Sequence, residues 1–163
     1  AAPDARVLDC GCGGGANMKR LLKKCPQGIV KGIDYSPVSV EKSKKVNDDA
    51  IAEGRCAVLQ GSVTDMMFAG DWFDAVTAFE TVYFWPDLPQ CFREVYRVLK
   101  PDGTFLICNE SSGDTDKDEK WTKLIGGMTI YKDIELEAYL EQAGFHDVQI
   151  HKKKGWLCIT ARK

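Results

Sequence analysis

The chain has 163 residues, the size of one domain, and 44% of them are hydrophobic, enough for a buried core. Twenty-two Lys and Arg stand against 24 Asp and Glu, a formal net charge of -2 that argues against a dedicated nucleic-acid surface. No apolar run is long enough to span a bilayer, and no stretch resembles a signal peptide.

Short β-rich runs alternate with helical segments along most of the chain. Residues 6–10 (RVLDC), 29–34 (IVKGID), 56–60 (CAVLQ), 73–79 (FDAVTAF) and 104–109 (TFLICN) read as strands buried on both faces. A helix rich in leucine and lysine follows the first strand. Ser36 caps and Pro37 opens a second helix running through Lys44 and Lys45. Residues 62–72 leave room for one short helical turn. From Asp87, Leu88, Phe92, Val95, Tyr96 and Leu99 fall at helical spacing, and that helix is expected to end at Lys100 before the turn Pro101-Asp102-Gly103.

The C-terminal part departs from this alternation. Asp133 is placed to cap a helix carrying Leu136, Tyr139, Leu140 and Ala143 on one face, with Gly144 as its stop. Residues 148–151 and 156–161 then read as strands joined only by Lys152, Lys153, Lys154 and Gly155. A link that short admits no parallel crossover, so the two strands are antiparallel neighbours. Residues 111–119, small and polar, read as a mobile loop, and Trp121, Leu124 and Ile125 as an amphipathic turn ahead of Gly126-Gly127. The expected fold is α/β: a Rossmann-like, mainly parallel sheet with a C-terminal antiparallel hairpin and helices on both faces.

Seven cysteines raise disulfide and zinc readings, but the count is odd and no CxxC pair occurs. Cys10, Cys56, Cys108 and Cys158 lie in strand-like runs. They are expected to be reduced core thiols of a cytoplasmic protein, with no metal site.

The richest stretch is Asp9-Cys10-Gly11-Cys12-Gly13-Gly14-Gly15-Ala16, between the first strand and its helix. Glycines permit a tight turn and a close approach of ligand to backbone. Gly11, Gly13 and Ala16 alone also satisfy a dinucleotide pattern. Asp9 separates the readings, because a carboxylate there repels a pyrophosphate at the helix N-terminus but suits a sulfonium and an ammonium. The alternative for Asp9 is a strand-end residue bonded to nearby backbone amides. Asp34, at the end of the second strand, is placed to accept hydrogen bonds from adenosine ribose hydroxyls.

VLDCGCGGG, GIDYS, GSVTDMMF, FDAVTAFETVYFWPDL and RVLKPDGTFLICNE, in that order, resemble the type 11 group of class I S-adenosylmethionine-dependent methyltransferases over nearly the whole chain. The resemblance implies that Asp9 and the backbone of Gly11, Cys12 and Gly13 hold the methionine part of S-adenosylmethionine, and Asp34 the ribose. It implies Tyr35 beside the adenine, Ser62 and Val63 at its polar edge, and Phe79 and Glu80 on the methionine side. Many relatives have aspartate at the position of Ser62, and whether Asp65 substitutes is open. Glu80, Tyr83 and Trp85 are the expected substrate-side residues, with Phe84 and Trp85 equally readable as packing for the next helix. His146 and His151 read as surface residues.

The expected function is methyl transfer from S-adenosylmethionine to a small-molecule acceptor, with no membrane partner. The rivals are a non-catalytic S-adenosylmethionine-binding module and an NAD(P)-dependent oxidoreductase. The whole chain reads as one domain whose first strand starts close to Ala1. It is therefore expected to lack the N-terminal helical cover of similar enzymes, leaving the lid to the polar loop or to a partner copy in a homo-oligomer.

Overall fold

The computed structural model describes residues 2–110 and 128–163. The expected loop at 111–119 and the turn of Trp121, Leu124 and Ile125 fall outside the described residues. The elements are β1 (Arg6–Cys10), α1 (Ala16–Lys24), β2 (Ile29–Asp34), α2 (Pro37–Val46), α3 (Asp48–Ala52), β3 (Cys56–Gln60), β4 (Phe73–Phe79), a 3-10 turn (Val82–Phe84), α4 (Leu88–Val98), β5 (Leu99–Asn109), α5 (Asp133–Ala143), β6 (His146–Lys153) and β7 (Trp156–Arg162). The first four strands coincide with the apolar runs read from the sequence.

Seven strands form one sheet in the order β3-β2-β1-β4-β5-β7-β6. The five from β3 to β5 pair in parallel. β7 is antiparallel to both its neighbours, so it alone is reversed and β6 runs with the parallel set. The hairpin turn is tighter than expected. Lys154 and Gly155, with φ of 42° and 84°, form it alone, while Lys152 and Lys153 remain in β6. Two left-handed residues match the right-handed twist of the flanking strands.

Alternation of side chains sends each strand's residues to two cores. On one face Met18, Leu22, Val40 and Ala50 of α1–α3 pack on Val7, Val30 and Val58. On the other, Phe92 and Val95 of α4 with Leu136 and Leu140 of α5 pack on Val76, Phe105, Ile107 and Leu157. Each such side chain contributes about 1.5–3 kcal/mol by leaving water.

Four local expectations are corrected. Residues 62–72 contain no helical turn. Their backbone is satisfied by α4 instead: Glu94 accepts from the Met66 N–H at 2.8 Å, and Arg97 donates to the Met66 and Phe68 carbonyls at 2.9 and 2.8 Å. With those groups paired, a helix is not needed to satisfy them. The second concerns α4, which ends at Val98. The expected turn at Pro101-Asp102-Gly103 is absorbed into β5 as an irregularity, where Phe73 pairs Leu99 but Ala75 pairs Thr104. Third, Asp133 is the first residue of α5 rather than its cap. Its carboxylate meets Lys152 at 3.0 Å, and the cap position is Lys132, whose N–H donates to Glu135 at 3.0 Å. Last, Cys108 and Cys158 are only half-buried, unlike Cys10 and Cys56.

Candidate functional site

The chain leaves β1 toward β2 on one side and returns through β4 on the other, so a crevice opens where the carboxyl ends of β1 and β4 part. Open α/β sheets bind ligands at such a switch point. The glycine loop forms its floor. Gly11, Gly13 and Gly15 all have left-handed φ, of 71°, 53° and 88°. At Gly11 a Cβ would stand 1.9 Å from the Thr81 hydroxyl oxygen, so only glycine fits beneath the loop that follows β4.

Polar side chains clamp this loop from below. The Gly13 and Ser36 N–H groups donate to the two carboxylate oxygens of Asp34, each at 2.9 Å. Ser43, from α2, donates to the Gly13 carbonyl at 2.5 Å, and Asn47 donates to the Gly15 carbonyl at 3.1 Å. Ser36 caps α2 by accepting from the Ser39 N–H at 3.3 Å.

Above the loop lies a cavity of about 660 Å³. The structure brings together eight of the residues read from the sequence at its wall: Gly11, Gly13, Asp34, Tyr35, Ser62, Val63, Glu80 and Trp85. Phe84, weighed evenly as lining or packing, also stands there, and Ser36, Ser39, Thr81 and Pro86, not anticipated as lining, complete much of the rest. Ser39 had a legible signal, one turn after the cap of α2. Thr81 had none in its own sequence context.

Four expected residues stand elsewhere. Asp9 is 1% exposed, on the face of β1 that looks toward α1, and its carboxylate accepts from the Thr77 hydroxyl at 2.8 Å. Burial pushes its pKa up to about 7, against the lowering effect of the Thr77 bond and with a further rise from Asp34. Cys12 is buried with its Sγ 3.6 Å from the Ser43 hydroxyl. Its thiol is raised to about 11, chiefly by burial. Phe79 shares a strand face with Ala75 and Thr77 and lines a separate hollow of about 910 Å³ with Leu106 and Thr160. Tyr83 is 3% exposed, and its hydroxyl donates to Glu80 at 3.2 Å.

Glu80 has a left-handed φ of 55°, uncommon for a side-chain-bearing residue and a mark of constraint by its surroundings. Its other carboxylate oxygen accepts from the Glu110 N–H. Burial raises its pKa, while the bonds from Glu110 and Tyr83 oppose the rise. Trp85 serves both alternatives left open for it: it lines the cavity, donates to the Thr81 hydroxyl at 3.2 Å, and stacks on Phe105. Phe84 is 40% exposed and also lines the cavity. His146 and His151 are exposed, as expected.

A glycine-floored crevice at a switch point, with an acid ending the second strand, defines a nucleoside-binding α/β domain. Comparison with known proteins makes this specific. A methyltransferase-domain family model matches residues 8–107, and the chain belongs to that family, the type 11 group of class I S-adenosylmethionine-dependent methyltransferases. It is similar to the Bacillus subtilis protein YrhH, which bears a methyltransferase name, at 31% identity over 97% of this chain and 78% of that protein. Cycloartenol-C-24-methyltransferase of Arabidopsis thaliana is 31% identical over 88% of this chain and 45% of its own length. The chain thus spans less than half of that sterol enzyme. Phosphoethanolamine N-methyltransferase 2 of Haemonchus contortus, solved in complex with S-adenosyl-L-methionine, shares the fold, with a TM-score of 0.84 at 15% identity over 98% of this chain and 49% of that one. S-adenosylmethionine is the cofactor of the family.

Proposed function

We propose that the protein transfers a methyl group from S-adenosylmethionine to a small-molecule acceptor bound in the cavity above the glycine loop. The observation that carries this is Asp34, whose carboxylate borders the cavity while two backbone N–H groups hold it in place. A carboxylate has about four lone-pair sites, so two remain for the ribose hydroxyls. The walls fit the rest of the donor. A Cβ at Gly13 would meet nothing within 4 Å, which leaves room for a ligand against the backbone, and Tyr35 is 72% exposed beside Asp34. The Ser62 hydroxyl already bonds Thr64 at 2.7 Å, and it meets the polar edge of adenine alongside Val63.

When bound, the donor supplies an electrophilic methyl on a sulfonium, and the chain supplies position and field. Glu80 places a negative charge at the methionine end, held in orientation by Tyr83 and the Glu110 N–H. Asp9 acts from beneath the loop, through Thr77 and its field, rather than by touching the donor. Phe84, Trp85 and Pro86 form an apolar wall that shields the transfer from water. We propose further that these 163 residues act as one domain, in the cytoplasm.

A thermal-shift panel with S-adenosylmethionine, S-adenosylhomocysteine, NAD and NADP tests the donor, with stabilisation by the first two expected. Asp34→Ala should weaken S-adenosylhomocysteine by about 1.5–3 kcal/mol, the range for hydrogen bonds to a charged group. Stabilisation by NAD instead would return the oxidoreductase reading. A metabolite screen for S-adenosylhomocysteine release separates an enzyme from a binding module, which would hold the donor and release none.

A further inference from the structure

Outside the cavity, two cysteines meet across the sheet. Cys108 of β5 and Cys158 of β7 are direct partners in the antiparallel register, so their side chains share one face. Their sulfurs stand 2.6 Å apart, and both residues are partly exposed. The other five cysteines are buried. The pair lies one step along β5 from Leu106, and one step along β7 from Thr160, in the rows that line the second hollow. No described helix packs on that face at β7. His151 of β6 is next in the same row, opposite Cys158. Among the described residues no group of three His, Cys, Asp or Glu side chains is placed to hold a metal ion, so the row does not read as a metal site.

We infer that Cys108 and Cys158 are a reversible redox-modification site, closing to a cross-strand disulfide that stiffens the strand ends holding Glu80. Directly opposed residues on neighbouring strands have Cα separations of about 4.5–5.5 Å, within the 4.4–6.8 Å that a disulfide spans. Closure therefore needs no movement of the backbone. The link to Glu80 is short. The Glu80 N–H donates to the Cys108 carbonyl at 2.9 Å, and the Glu110 N–H, two residues beyond Cys108, donates to the Glu80 carboxylate.

With a hydroperoxide as oxidant the chemistry balances. The sulfur of one cysteine, here Cys158, attacks one peroxide oxygen as it gives up its proton, the O–O bond breaks, and the departing hydroxide takes that proton and leaves as water. The Cys108 sulfur then attacks the sulfenic sulfur, the S–O bond breaks, and the departing hydroxide takes the Cys108 proton as a second water. Two electrons pass from two thiols to one peroxide. Burial, the adjoining Cys158 and Glu80 push the Cys108 thiol up to about 12; the balance is the same with the two sulfurs in either order.

The test treats the fully reduced chain with hydrogen peroxide, alkylates the remaining thiols and maps peptides without reductant. A Cys108–Cys158 cross-link is expected, with two of the seven thiols lost and a reductant restoring both. Amide hydrogen exchange at Glu80 and Glu110 should slow several-fold on oxidation. Cys158→Ser, or Cys158→Ala if the serine variant melts early, should keep native exchange yet show no such slowing. A different pairing, retention of all seven thiols, or a cross-link that leaves exchange at Glu80 and Glu110 unchanged would each overturn the inference. None of these readouts depends on donor binding, so the methyltransfer reading stands or falls separately.

Discussion

The two walls of the crevice are built differently. On the glycine-loop side, backbone groups of Gly13, Gly15 and Ser36 are each held by a side chain of Asp34, Ser43 or Asn47, and those partners stand on β2, on α2 and at the junction of α2 with α3. On the far side the Glu80 carboxylate accepts from one tyrosine hydroxyl and one N–H at a strand end and its own N–H donates to the Cys108 carbonyl, in a loop bracketed by two left-handed non-glycine residues, Glu80 and Asp87. A site that must present one donor in one pose benefits from a rigid first wall, since positioning supplies much of the rate. The second wall is built on the loop after β4, and there we expect acceptors to be distinguished.

The largest expected effect breaks the rigid wall. Gly11→Ala drives a methyl into Thr81 and strains a left-handed residue, so stability should fall by about 3 kcal/mol or more, with loss of S-adenosylhomocysteine binding. Gly13→Ala is its control. Its Cβ meets nothing, so destabilisation should stay near 1–2 kcal/mol while the donor analogue, which needs that space, is weakened. Melting curves with and without S-adenosylhomocysteine separate the two, and equal losses of stability would remove the asymmetry.

Asp9 gives an effect of middle size, with a definite sign. Its pKa is about 7 in the fold and 3.8 when free, so between those values the folded chain holds a proton that the unfolded chain has lost. Stability from this group is therefore full below pH 4 and declines as pH rises to about 7, by on the order of a few kcal/mol. Asp9→Asn keeps an acceptor for Thr77 and cannot ionise. It should melt higher than the parent at pH 8 and lose most of that advantage at pH 4. Parallel melting profiles from pH 4 to 8 would show that Asp9 is ionised throughout.

The smallest stability change is expected at Glu80, where the effect should fall on binding. Glu80→Gln keeps one oxygen to accept from the Glu110 N–H, turns its NH2 toward the Tyr83 hydroxyl, which can accept instead, and loses the charge. The ligand-free melting temperature should move by no more than about 2 °C, the equivalent of roughly 0.5 kcal/mol, while affinity for S-adenosylmethionine falls several-fold. A large drop in melting temperature with unchanged affinity would make Glu80 a structural residue.

Much of the glycine-loop side of the cavity was legible because its residues carry their own local signals: glycines where φ is positive, an acid at a strand end, a serine before a proline. Two of the four residues that stand elsewhere, Asp9 and Phe79, belong to strands buried on both faces. In β4 apolar residues occupy every position but Asp74 and Thr77, so the pattern cannot tell which face Phe79 takes. Asp9 stands behind the loop for a related reason. Its place before the glycines was plain, but the sheet register that turns it toward Thr77 is a long-range fact. The loop at 62–72 was misread because its hydrogen-bond partners, Glu94 and Arg97, lie on a helix far along the chain, where they look like an ordinary exposed ion pair. The reversed strand was the opposite case, since a link too short for a crossover is visible in the sequence.

The place of β7 in the sheet has a consequence for how the chain assembles. It is the last strand in sequence, yet it sits between β5 and β6. Until it arrives, β5 presents an unpaired edge of backbone groups, and its apolar residues Phe105 and Ile107 lack part of their cover. The two-residue turn lets β6 and β7 zip together locally, within microseconds for a typical hairpin. The finished hairpin must then dock as a unit through long-range pairing, the slower kind of event. During synthesis an emerging chain would hold a nearly complete sheet with one open, sticky side, closed only when the final ribbon clicks home. A chain cut before residue 156 should therefore suffer aggregation rather than simple loss of an edge.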